Sequence, residues 1–346
     1  MNDQVNEFPA VSSSDIALAM TTLKNSPTTL LFHAEMIPPI TDSVGDDVQT
    51  SLPPLSPSGP LTSYSTFLAS RPPAFETYAI EELLSLAHLA PHLQLHIVHL
   101  SAIECVPLLR TARQNGIKIS AETCFHYLAL AAEDVGDGDT RHKCCPPIRS
   151  SVNRNGLWAE LSAPNSVLET IVSDHSPCTP ELKLLPDHIA ERANRWKEEQ
   201  EKGDFFASWG GISSVGLGLP ILWTSAHAKS PLSAPSLTNC APKLSILDVV
   251  RLCCVNTSRQ VGLQHRKGAI APGMDADICV FDDEGTFVVE RAQMLFRNKV
   301  SPYQGKRLRG VVKETYLRGR SVYTSESGFV EETGPIGTLL LEKRKA

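Results

Sequence analysis

An excess of positive charge is the first thing this sequence lacks: 32 Lys and Arg stand against 38 Asp and Glu, leaving a formal net charge of −6. The basic residues are spread along the chain, so a phosphate-backbone reader is excluded and no nucleic-acid partner is expected. Long hydrophobic runs are absent as well. No stretch approaches the roughly eighteen apolar residues of a membrane span, which predicts a soluble protein that does not enter a membrane. The opening MNDQVNEFPA has neither the basic nor the apolar region of a signal peptide, and the nine cysteines are an odd number with no CxxC spacing. A reduced, cytoplasmic setting is the expectation. There is no internal repeat, no GxSxG elbow and no phosphate-binding glycine loop, since Gly216-Leu-Gly-Leu-Pro220 is too short and ends in proline.

What is present is an alternation. Short apolar runs end in polar residues at Thr29–Phe32 before His33, Leu95–Val98 before His99, Gly116–Ala121 before Glu122, and Val167–Val172 before Ser173 and Asp174. Each reads as a strand. Between them lie helical patterns such as Glu76 to Ala90, where Ile80, Leu83, Leu84 and Ala87 share one face. Strand and helix in turn predict an α/β fold with a parallel sheet covered by helices. A later helix is expected from Ile246 to Gly262, opened by Ser245 with Asp248 three residues on. Cys253 and Cys254 fall inside it and read as small core residues. From Gly268 onward, β-like runs at 277–281, 286–289 and 310–316 predict a small β domain. Two stretches rich in Pro, Ser and Thr, near 38–60 and 226–243, read as insertions, and the charged segment 186–202 as a solvated helix or lid-like excursion.

In a parallel barrel the carboxyl ends of the strands gather at one face, so His33 with Glu35, His99 with Ser101, Glu122 with His126, and Asp174 with His175 would converge there. Imidazoles and a carboxylate at such a rim suit zinc. Each has a plainer reading. A single strand-end histidine is commonly a hydrogen-bonded structural residue, and Asp-His-Ser-Pro is good turn material. His96 and His99, three apart on a strand, point to opposite faces, so His99 is the candidate and His96 is expected to pack against a helix.

The order of motifs resembles the cyclic-amidase branch of the amidohydrolase family, and within it the allantoinases. The matching segments are Leu30–Met36, Tyr64–Glu76, His96–Ser101, Glu122–Leu128, Lys143–Arg149, Ser173–Pro177, Trp209–Ser213, Lys267–Asp277 and Ser301–Gly305. The resemblance implies a distorted (β/α)8 barrel with an attached β-sandwich and a two-zinc centre. His33 and His99 would bind one Zn2+, and Asp174 would bind the other and shuttle a proton while hydroxide attacks a ring amide. It implies allantoin as the small-molecule substrate, opened to allantoate, with Cys145, Ser176, Gly211, Ile212 and Ser213 near the ring. Dihydropyrimidinase and dihydroorotase are sibling readings, and a non-catalytic scaffold is a third.

The sequence departs from the family at Phe125, where relatives often have proline, and more seriously at the front. It contains no His-x-His pair, and Lys24, the only lysine ahead of His33, lies in a helical pattern rather than at a strand end. The expectation is therefore a partial barrel, its second half, over residues 1–265, with part of the composite β-sandwich over 266–346. Low activity for the chain alone and a homo-oligomer are expected with it.

Overall fold

The computed structural model describes residues 10–38, 57–189, 202–227, 244–330 and 334–341. Most of both expected insertions and most of the charged segment 186–202 lie outside the described residues. Helix α1 (Ser13–Leu23) opens on a reciprocal cap between Ser12 and Asp15 and closes with Lys24 as its C-cap. Strand β1 (Thr29–Phe32) follows. The chain continues through α2 (Tyr64–Ala69), α3 (Ala74–Leu86), β2 (Gln94–Ile97), α4 (Cys105–Gln114), β3 (Ile119–Cys124), α5 (Phe125–Ala129), α6 (Ser151–Leu161) and β4 (Leu168–Val172).

The four strands form one parallel sheet in the order β1-β2-β3-β4. Its register divides the side chains by chemistry. Leu30, Leu95 and Ile119 align, as do Phe32, Ile97 and Ala121, and most of these join the hydrophobic core with Ile80 and Leu83 of α3, Leu109 of α4 and Leu157 of α6. The alternate positions, Leu31, His96 and Ser120, then Glu122 and Thr170, make the other face. Alternation along each strand sends one set to the helices and one to the opposite side.

β3 corrects the sequence expectation by three residues. Gly116 sits at φ 86, in the turn before the strand, and pairing with β4 carries β3 on to Cys124. Glu122 is thus inside the strand rather than at its tip. It is tolerated there because His96 Nε2 lies 3.2 Å from its carboxylate and Thr170 Oγ1 donates to it at 3.4 Å. The same contacts correct His96. Its ring is buried, with Nδ1 2.8 Å from Ser120 Oγ, so it bonds across to β3 instead of packing against a helix.

After α7 (Gly218–His227), the expected later helix runs as one body over 246–260, labelled α8. The predicted Ser245 and Asp248 cap is present in both directions. Its middle turn, Arg251–Val255, widens to a π-helix, and there Cys253 packs partly against the core while Cys254 is exposed, unlike the core role expected of both. The second sheet is antiparallel: β5 (Ile278–Val288), β6 (Arg307–Leu317), β7 (Arg320–Thr324) and β8 (Gly328–Phe329). The runs at 277–281 and 286–289 belong to a single irregular strand, because β6 pairs with both across a register shift between Asp282 and Thr286. α7 ties this sheet to the rest: Trp223 Nε1 donates to Asp283 O at 3.0 Å, and Thr224 Oγ1 accepts from Arg309 N at 2.8 Å. No described helix is long and apolar enough to cross a membrane.

Candidate active site

His33 follows β1 directly and His99 stands two residues past β2, so parallel pairing sets them side by side. His33 Nδ1 lies 3.0 Å from His99 Nε2, and His33 Nε2 lies 3.2 Å from Glu35 Oε2. The Glu35 carboxylate holds the far nitrogen as the donor and leaves Nδ1 to face His99, a carboxylate–histidine arrangement that orients a ligating ring. His99 adopts a left-handed φ of 38, and its Nδ1 is buried with no hydrogen-bond partner. Burial, reinforced by His33, pushes its pKa down to about 3, so the ring is neutral at neutral pH.

Behind the pair runs a buried chain of charges. Arg71 Nη1 donates to both Glu35 oxygens at 3.3 Å. Burial opposes the Glu35 charge, but Arg71 and His33 outweigh it and hold the carboxyl at about 2. Arg149 Nη1 donates to the Arg71 carbonyl at 3.2 Å and its Nη2 to Glu76 Oε1 at 2.7 Å. Glu76 also accepts from the backbone N–H groups of Ser101 and Ala102, at 2.9 and 3.1 Å. A buried charge is tolerated only when paired and hydrogen-bonded. Here that requirement fixes the loop just beyond His99.

Asp174 stands two residues past β4, at φ 45, in the turn that its sequence suggested: Ser176 Oγ donates to its carbonyl at 3.1 Å. Burial of the carboxyl, with Glu122 nearby, raises its pKa to about 6, and His33 opposes the rise. Turn and candidate site are the same residues. Among the described residues the three-donor cluster that Asp174 joins is with Cys124 and His126, at the β3–α5 junction, rather than with His33 and His99. Cys124 carried no role in the sequence reading and His126 only a place at a tip. Phe125 between them begins α5 as its first residue, a position that suits proline equally well.

The expected substrate-side residues are stitched to one another. Ser176 N donates to Ile212 O at 3.0 Å and Ile212 N to Ser176 Oγ at 3.1 Å, while Gly211 N donates to Lys143 O at 2.8 Å. Ser213 O accepts from Ser301 Oγ at 2.6 Å, which draws in the Ser301–Gly305 motif. Cys145 is half-buried and joined to Pro146 by a cis peptide bond. Two buried lysines hold this segment by its carbonyls. Lys143 Nζ donates to Phe206 O and Ser208 O, and Lys183 Nζ to Trp209 O, Gly211 O and Thr140 O. Desolvation pulls both down to about 8. A cleft at the opposite, amino ends of the strands, lined by Thr29, Gln94, Lys118 and Glu169 among others, lies away from these groups.

A family profile described as "Amidohydrolase family" matches residues 223–323. The chain is 42% identical to the allantoinase of Saccharomyces cerevisiae over all of its own length and 65% of that protein. It is 37% identical to the allantoinase of Streptomyces avermitilis, covering 97% of this chain and 64% of that one. The chain is similar to allantoinases along nearly all of its length and to the amidohydrolase profile over residues 223–323. Solved structures share the fold: the D-hydantoinase (dihydropyrimidinase) of Thermus sp. superposes with a TM-score of 0.74 at 22% identity, over 97% of this chain and 65% of that one. The L-hydantoinase of Arthrobacter aurescens gives 0.72 at 22% identity, over 94% and 64%. The parallel sheet is thus part of an amidohydrolase barrel with an antiparallel sheet attached, and the chain spans roughly two thirds of the length of these relatives, 64–65%.

Proposed function

We propose that this chain serves as a zinc-dependent cyclic amide hydrolase that opens the hydantoin ring of allantoin to allantoate. The observation that carries the reading is the pair of imidazole nitrogens, His33 Nδ1 and His99 Nε2, 3.0 Å apart at the carboxyl ends of adjacent strands with Glu35 behind His33. Two nitrogens on one tetrahedral zinc stand roughly 3.3 Å apart, given Zn–N bonds of about 2.05 Å. The donor set of neutral imidazoles and a carboxylate also suits that ion. The allantoinase relatives supply the choice of substrate.

His33 and His99 would hold one Zn2+ and Asp174 a second. Bound metal would polarise the ring carbonyl and acidify water. Asp174 takes up the proton released on attack and returns it to the leaving ring nitrogen, work that suits a carboxyl held near the working pH. Cys145, Ser176 and the Gly211–Ile212–Ser213 segment border the ring; since Gly211 N and Ile212 N are already engaged, their contribution is shape and the rigid placing of neighbouring groups.

The sequence has no His-x-His, and Lys24 caps a helix, so these donors are a minority of a two-metal shell. Turnover well below that of the yeast relative is expected. The test is zinc content of the purified chain, with allantoin, dihydrouracil and dihydroorotate assayed in parallel. Slow, chelator-sensitive loss of allantoin, reduced at least about 100-fold in Asp174→Asn, supports the reading. Turnover of dihydrouracil or dihydroorotate instead moves the chain to a sibling activity, and neither zinc nor turnover makes it a non-catalytic member.

A further inference from the structure

We propose that Cys124, His126 and Asp174 form a mononuclear site for a borderline-soft divalent transition metal, with a thiolate ligand, separate from the His33–His99 pair. One ligand atom from each of the three residues lies within 4.8 Å of the others. The fold explains the convergence. Cys124 ends β3 and pairs with Val172 of β4, and Asp174 follows Val172 by two residues. α5 begins at the next residue after Cys124, so His126 turns back over the same junction.

A second, independent observation points to a ligand. His126 is only 1% exposed, and neither of its ring nitrogens has a hydrogen-bond partner. Buried polar atoms are nearly always paired, and an imidazole with both nitrogens unmet is a rare and costly arrangement. Its ring touches Tyr127, edge to face, 4.2 Å between centroids, which satisfies neither nitrogen. Cys124 is fully buried and forms no disulfide, leaving its sulfur free to act as a ligand. Sulfur, nitrogen and oxygen from three side chains, with a fourth position open, is the donor chemistry of zinc and of cobalt in its place, not of magnesium or calcium. Coordination would release the thiol proton to solvent.

The site shares Asp174 with the proposed hydrolytic centre but depends on no assumption about substrate. An ion held here would keep Asp174 with Cys124 and His126 and deny it to an ion at His33 and His99, so the two arrangements compete for one carboxylate.

The probe is Co2+, titrated into the whole metal-stripped chain under reducing conditions and followed by absorption. One equivalent should produce near-ultraviolet sulfur-to-cobalt charge-transfer absorption. Cys124→Ser should remove it, and His126→Ala should weaken Co2+ binding by more than the roughly 10–100-fold that loss of a mere outer-shell partner costs. His33→Asn, Cys144→Ser and Cys145→Ser should retain it, and His33→Asn should at the same time impair the proposed hydrolysis, so the two readouts separate failure of one site from failure of the other. Circular dichroism checks that each variant is folded, and Asp174→Asn serves as a second probe should Cys124→Ser fail to fold. No charge-transfer absorption in the unsubstituted chain at saturating Co2+, survival of the absorption in folded Cys124→Ser, or its loss in folded His33→Asn overturns the proposal.

Discussion

Arg149 Nη2 donates to Glu76 Oε1 at 2.7 Å, and the other oxygen of Glu76 receives the backbone N–H groups of Ser101 and Ala102, two and three residues after His99. An ion pair between residues 73 apart in sequence therefore shapes the loop that presents a candidate ligand. Glu76→Gln keeps the shape and removes the charge. It should lower stability by about 3–5 kcal/mol, the cost of leaving a buried guanidinium without its partner. Urea unfolding measures it, and a loss below about 1 kcal/mol would show that Arg149 finds another counter-charge.

Lys183 gives a prediction about pH. Its folded pKa is pushed down to about 8 from the ordinary 10.5. Below 8 the ammonium is charged in both states and its burial penalty is constant; between about 8 and 10.5 the unfolded chain binds more protons, so this residue's contribution to stability rises with pH. The stability of the unsubstituted chain relative to Lys183→Met should therefore rise across that window, on the order of 1–3 kcal/mol. Paired denaturation curves at several pH values give the difference, in which groups not coupled to Lys183 cancel. A flat or falling difference would contradict the assignment.

Gly211 has no room for a side chain. A Cβ there would stand 2.4 Å from Ser176 O and 2.2 Å from the Trp209 ring. One of these is backbone, so the turn itself must move. Gly211→Ala should separate the 209–213 segment from Ser176, weakening substrate binding by tenfold or more, with a loss of about 1–3 kcal/mol in stability. KM and Tm measured together report both effects.

Gly218, at the start of α7, meets a softer obstacle. Its Cβ would stand 2.3 Å from the Phe125 ring, a side chain able to yield. Gly218→Ala should cost about 1–3 kcal/mol alone, and much less in a Phe125→Leu background. A double-mutant cycle that proves additive would place the strain elsewhere.

The sequence made β1 and β4, the Ser245–Asp248 cap and the helical setting of Lys24 legible, because each depends on near neighbours in the chain. It also brought His33 and His99 to adjacent tips, where they meet. It did not reveal that Glu122 sits mid-strand, since that depends on His96 and Thr170 arriving from two other strands. Nor could it find the Glu35, Arg71, Glu76 and Arg149 chain, whose members look like surface charges until tertiary packing buries them. Cys124 escaped for the opposite reason, since a small apolar-looking residue carries no signal before Asp174 is placed beside it, and His126, though set at a strand tip, had no partner there until then.

His99 and Asp174 both hold left-handed backbones, at φ 38 and 45. Asparagine, aspartate and histidine enter that region more often than other side chains, but none is as free there as glycine. Selection for thermal robustness alone would replace His99 with glycine or asparagine, and would exchange Asp174 for glycine at little structural loss. Laboratory evolution scored only on folding should drift toward those replacements and yield a sturdier, chemically silent protein, so the retention of both residues under a paired selection for turnover would measure how much durability the chemistry displaces.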